Sequence, residues 1–246
     1  MARLRTKGII IKQTDYGEGH RMLSIFTEDY GIVKAVSYGV KKVRSKAAAS
    51  SQFLCWADFD LYSKVNSDVM TVNAVDTIDA FYPVTEDIKK LSLCAYLADI
   101  TYSILGTGNP DSRLLHILLN SVYALAYKNE DMAKVKAVYE LKMMCAGGYM
   151  PSLNGCAVCG DSVYAFDLEK GGMVCKKCGG KYTVRLDGAL YKALCYIVSS
   201  EDKKMLSFIA SDDLIERLGS LAEKYVTVQL DINPQSLAYY KTMLKM

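Results

Sequence analysis

Four cysteines constrain this chain more than any other feature. They lie in the stretch GCAVCGDSVYAFDLEKGGMVCKKCGG, from Gly155 to Gly180. Cys156 and Cys159 form one pair and Cys175 and Cys178 the other, spaced C-x2-C-x15-C-x2-C. A two-residue gap lets both sulfurs of one tight turn reach the same ion, and this spacing falls in the range of four-thiolate sites. Gly160 and Gly179 follow the two pairs, where such turns need relief. Four soft thiolates favour zinc, with iron as the alternative. A closed shell leaves no position for water or substrate, so one structural zinc per chain is expected. A catalytic zinc deaminase would need His-x-Glu and Pro-Cys-x-x-Cys. The two histidines, His20 and His116, are followed by Arg-Met and Ile-Leu, and no proline precedes Cys156 or Cys175.

The rest of the chain does not need a metal to fold. It has 246 residues, half of them apolar, enough for one large domain or a few small ones. The most apolar stretch, Leu91 to Leu105, is interrupted by Asp99 and is too short to span a membrane. The start, MARLRTKGIIIKQ, lacks the apolar core and cleavage site of a signal peptide. A cytoplasmic protein is expected. Cys55, Cys94, Cys145 and Cys195 sit in apolar surroundings and read as small core residues in a reducing compartment.

Five short runs ahead of Pro83 read as strands: TKGIIIKQ, MLSIFTE, GIVKAVSYG, QFLCWADFDLY and SDVMTVNAVDTI. In the fourth, Phe53, Cys55, Ala57, Phe59 and Leu61 form one face and Asp58 and Asp60 the other. Five strands in this length suggest a small barrel of the OB type. Beyond Pro83 the pattern turns helical. Runs at 87–105, 111–128 and 131–148 precede the cysteines, and runs at 188–200, 211–230 and 234–246 follow them. Thr85 and Asp87 offer a cap for the first and Asp212 or Asp213 for the fifth. The second run, apolar almost all round, reads as the core helix, with His116 as one of its core residues. The expectation is an α+β protein: an N-terminal five-stranded OB-fold barrel (1–80), then a helical domain (81–150 and 186–246) into which the four-cysteine zinc ribbon (151–185) is inserted.

Charge is unevenly spread. Residues 1–50 hold ten Lys/Arg against four Asp/Glu, and residues 51–100 hold three against eight. The run YGVKKVRSK follows the third strand, and its Lys41, Lys42, Arg44 and Lys46, with Lys12, Arg21 and Lys34 nearby, form a candidate phosphate-tracking surface. Tyr38, with Tyr16 and Tyr62, is a candidate for base stacking. Lys176, Lys177, Lys181 and Arg185 beside the clip read either as phosphate contacts or as a solvated face. A phosphate-binding loop, a dinucleotide fingerprint and a catalytic triad are all missing from the sequence, and a non-enzymatic binding protein is expected.

The order of these features resembles the RecO family of bacterial recombination mediators. GIIIKQTDYGEGHRMLSIFTEDYGIVKAVSYGVKKVRSK, AVDTIDAFYPVTEDIKKLSLCAYLADI and YELKMMCAGGYMPSLNGCAVCG carry the resemblance, which runs nearly the full length. It implies binding of single- and double-stranded DNA, strand annealing in DNA repair and recombination, and a cytoplasmic, nucleoid-associated location without a membrane. It also implies partnership with RecR, with the acidic C-terminal tail of single-stranded-DNA-binding protein and, indirectly, with RecA. A tail site would lie between Asp87 and Cys145, rimmed by Lys89, Lys90, Arg113, Lys134, Lys136 and Lys142. The rival reading is a protein-interaction adaptor whose DNA binding is incidental.

Overall fold

The computed structural model describes residues 2–40, 50–63, 69–106 and 110–246. Strands β1 (Ala2–Tyr16), β2 (His20–Thr27), β3 (Gly31–Ser37), β4 (Trp56–Ser63) and β5 (Met70–Asp79) close into a barrel in the order β1-β2-β3-β5-β4. All pairs are antiparallel except β3–β5, which run parallel at Ala35–Met70 and Val36–Thr71. This is the expected OB-fold. β1 closes it by pairing twice, with β4 from Ala2 to Ile9 and with β2 from Gly8 to Tyr16. The two ladders overlap at Gly8, where a Cβ would stand 2.7 Å from Ile25 Cγ2 and 2.9 Å from the Phe26 carbonyl oxygen. The close approach that closes the barrel therefore requires glycine.

Alternation sorts the barrel side chains. Ile10, Leu23, Ile25, Ala35, Cys55, Ala57, Phe59 and Leu61 fill the interior, while Ile9, Ile11 and Phe26 point outward into the helical core. Phe53 departs from the expected interior face. β4 begins only at Trp56, and Leu54 adopts a left-handed conformation (φ 68), which turns Phe53 against the helical core instead. Asp58 and Asp60 face outward, and Arg5 and Arg3 of β1 pair with them at 3.1 and 2.7 Å. Part of the basic excess at the front of the chain is thus neutralised by the acidic excess that follows it.

The helices are α1 (Tyr82–Thr85), α2 (Ile88–Leu105), α3 (Ser112–Tyr127), α4 (Met132–Ala146), α5 (Gly188–Ser199), α6 (Asp212–Leu230) and α7 (Gln235–Met243). Asp87, Asp111, Asp131 and Asp187 cap α2 to α5 by accepting first-turn backbone N–H groups. The cap of α6 is Ser211, one residue before the predicted aspartates; Asp212 and Asp213 lie in the first turn instead. The central helix is α4 rather than α3, for every residue from Val135 to Cys145 is buried. His116 of α3 is exposed, not core. No described helix is long and apolar enough to cross a membrane.

Burying α4 buries its charges. Lys136 bonds Glu140 (2.8 Å) and Glu223 (3.0 Å), and Tyr96 Oη donates to Glu140 (2.6 Å). Lys142, with a side chain 0% exposed, pairs with Asp202 (3.3 Å) and donates to the Ser200 carbonyl. Lys136 and Lys142 therefore cannot form the exposed rim expected of them: the core takes them in and internal carboxylates neutralise them.

The cysteine segment forms a three-stranded sheet, β6 (Ala165–Asp167), β7 (Gly172–Val174) and β8 (Thr183–Val184), in the order β7-β6-β8. It is docked, not tethered. Phe166, Leu168 and Met173 join the helical core. Phe166 meets Tyr225 of α6 edge-on at 5.6 Å, and Gln229 of α6 donates to the Glu169 carbonyl at 3.0 Å.

Candidate metal centre and nucleic-acid interface

The β6–β7 hairpin brings the two cysteine turns together. Its turn is clamped by Asp167, a buried carboxylate that accepts the N–H groups of Glu169, Lys170 and Gly180 and the Thr183 hydroxyl. Burial pushes the Asp167 pKa up, but these donors outweigh it and hold the carboxyl below the usual aspartate range. The Ala157 N–H donates to the Met173 carbonyl at 2.7 Å and ties the first cysteine turn to β7. Gly160 adopts φ 80, the left-handed relief expected there. Gly179 is not left-handed among the described glycines; its role is space, since a Cβ would lie 3.1 Å from Thr183 Oγ1.

The sulfurs of Cys156, Cys159, Cys175 and Cys178 all lie within 4.8 Å of one another, and none is in a disulfide. Cys159 is 3.7 Å from both Cys175 and Cys178. A tetrahedron with metal–sulfur bonds of about 2.3 Å has edges of roughly 3.8 Å, so the donor set fits a metal ion. Backbone N–H groups of Cys159 and Cys175 hold the Cys156 thiol down to about 6. At Cys159 the Asp161 backbone pulls the same way, yet the neighbouring Cys156 and Cys178 push the thiol up to about 12. Four sulfurs this close cannot all ionise without a cation among them.

The described barrel cations that the sequence singled out for phosphate, Lys12, Arg21 and Lys34, fall into two groups. Lys12, Ser24 and Lys34 are cross-strand neighbours on the outer face of β1, β2 and β3. The Lys12 ammonium stands 5.9 Å from the ring centre of Tyr102 in α2. The second group lies at the far end of β2. His20 is paired in register with Tyr16, accepts the Gly39 N–H on Nδ1 at 3.0 Å, and meets the Tyr38 ring edge-on at 4.8 Å. Arg21 follows, opposite Ser37, and Tyr16 and Tyr38 are both exposed. Tyr62 is not with them; it lies on β4, opposite Arg3 and Thr71. Lys41, Lys42, Arg44 and Lys46 lie outside the described residues. The bond from the Gly39 N–H and the edge-on ring contact place His20 beside Tyr38.

Beside the metal cluster, Tyr164 stands under two cations, Arg185 at 4.5 Å and Lys176 at 5.3 Å from its ring centre. The sequence marks these cations but not the tyrosine, which lies twelve residues before Lys176 and twenty-one before Arg185.

Two family models match the chain, Recombination protein O N terminal over residues 1–81 and Recombination protein O C terminal over residues 85–238. Curated relatives called DNA repair protein RecO are similar along most of its length. The protein from Acetivibrio thermocellus is 32% identical over 248 residues, covering 99% of this chain and 98% of the relative. That from Alkaliphilus metalliredigens is 27% identical, covering 97% and 98%. That from Oceanobacillus iheyensis is 30% identical, covering 91% and 82%.

Proposed function

The chain belongs to the RecO family of DNA repair proteins, and on that premise we propose that it is a non-enzymatic recombination mediator of the cytoplasm and nucleoid. It binds single- and double-stranded DNA, anneals complementary strands and, with RecR, helps load RecA onto strands coated by single-stranded-DNA-binding protein. The observation that carries this reading is the open end of the barrel, where exposed Tyr16 and Tyr38 flank His20 and Arg21. Aromatics for bases beside cations for phosphates are what single-strand binding requires. Lys41, Lys42, Arg44 and Lys46 are taken as further phosphate contacts, together with Lys12 and Lys34 on the outer face. An annealing assay with complementary oligonucleotides, bare and coated, is the test. Acceleration in both states is expected; none in either state would end the reading. Neutralising Lys41, Lys42, Arg44 and Lys46 together flattens the salt dependence of single-strand binding by roughly 0.7 per lost contact.

The four cysteines are the ligands of one structural zinc, which elemental analysis of freshly reduced protein would find at one per chain. The acidic tail of the strand-coating protein is assigned to a groove of about 410 Å³ between barrel and α2, whose lining includes Ile11, Phe53, Ile88 and Leu91 with one cation, Lys12, and one carboxylate, Asp99. The apolar lining suits the apolar tip of such a peptide, and Lys12 is its one partner there for an acidic group. Leu91→Glu should abolish binding of such a peptide while leaving annealing of bare strands intact.

A further inference from the structure

Exposed cations gather on the ribbon close to the cysteine turns. Lys176, Lys177, Lys181 and Arg185 are exposed and have no ion pair among the described residues. Of the other described arginines, Arg3, Arg5, Arg113 and Arg217 bond aspartates. Arg21, at the open end of the barrel, shares the unpaired condition of Arg185 among the described residues. Around these cations the ribbon exposes aromatic rings. Tyr164, 37% exposed, lies under Arg185 and Lys176, and Tyr182, 39% exposed, lies 5.4 Å from the Lys181 ammonium.

We propose that this face of the ribbon is a second contact for single-stranded nucleic acid, separate from the barrel. The proposal rests on the DNA-binding reading above and deepens it. Lys176 and Arg185 take backbone phosphates, and the Arg185 plane and the Tyr182 ring offer flat surfaces for bases. Tyr164 holds both cations in place before the strand arrives, so less side-chain freedom is lost on binding. Unpaired cations alone would serve an acidic peptide equally; the exposed rings interleaved with them favour a nucleic acid. Lys176 and Lys177 lie between two of the sulfurs that would hold the metal, so the same ion would fix their spacing.

The test uses the full-length, metal-loaded protein and a labelled oligothymidylate, with binding followed by anisotropy over a range of salt. The pair Lys176→Ala and Arg185→Ala is made in the native chain and in the chain with Lys41, Lys42, Arg44 and Lys46 neutralised. Metal content and circular dichroism confirm that the ribbon stays folded. The expected result is a salt slope lower by roughly 1.4, two contacts' worth, and a weakening that is larger in the neutralised background. Tyr164→Ala, which frees both cations, should weaken binding severalfold. Unchanged affinity and slope in both backgrounds would overturn the proposal. So would variants that keep their DNA affinity but lose an acidic peptide, which would make the face a peptide site. If the barrel substitutions change nothing and the ribbon substitutions abolish binding, the barrel reading fails and this one stands.

Discussion

The barrel and the ribbon are both small β units packed on the same helical body, yet different forces shape them. The barrel encloses its own apolar interior, eight buried residues from Ile10 to Leu61, within a closed ladder of strands. The ribbon has almost nothing of the kind. Its own cluster is Val174 with Cys156 and Cys175, and its larger apolar residues, Phe166, Leu168 and Met173, are committed to the helices. A closed barrel buries enough surface to hold its form; three strands of two or three residues do not. The ribbon is fixed by helices on one side and by a four-sulfur cluster on the other.

Substitutions that strike one unit and spare the other sharpen this contrast. Phe59→Ala empties the middle of the barrel and should cost about 3–5 kcal/mol. Thermal or urea unfolding would register it, with DNA binding reduced and the metal content unaltered. Lys142→Ala strikes the shared helical body instead. It leaves the Ser200 carbonyl without its donor and weakens the hold on Asp202, at a cost of about 3 kcal/mol, reduced if Arg113 keeps its bond to Asp202. Barrel and ribbon should then lose stability together.

A pH titration addresses the same contact. Arg113 holds the Asp202 carboxyl below its ordinary value, helped by Lys142 and opposed by burial. A depressed carboxylate stabilises the fold above its unfolded pKa of about 3.9, and that contribution is lost as pH falls through the folded value. The gap in melting temperature between the native chain and Asp202→Asn should therefore shrink on acidification from pH 5 toward about 3. The smallest effect is expected at His116, exposed on α3, where alanine should change stability by no more than about 0.5 kcal/mol.

Much of this architecture could be read from residues alone, for physical reasons. Alternation in β4 revealed the barrel interior because successive side chains of a strand point to opposite faces, one turned inward and one outward. Aspartates ahead of apolar runs marked the helix starts because first-turn N–H groups need acceptors. The cysteine spacing revealed its cluster because its geometry is local. Other features depended on distant partners. Lys136, Glu140 and Lys142 look like surface residues until Glu223 and Asp202, far along the chain, neutralise them. This is why the apolar pattern points to α3 as the central helix, although α4 holds that place. Phe53 was misplaced because no pattern announced that Leu54 would adopt a left-handed conformation. Tyr164 and Arg185 meet only once β6 and β8 pair.

The claim that a metal shapes the ribbon while the barrel shapes itself can be tested in one experiment. Backbone hydrogen exchange is followed by mass spectrometry in reduced, metal-loaded protein and again after a strong chelator has removed the metal. Protection is expected to collapse across Gly155 to Arg185 and to be kept from β1 to β5, with smaller losses where α6 meets the ribbon. Unchanged protection in the ribbon, or an equal loss in the barrel, would contradict it.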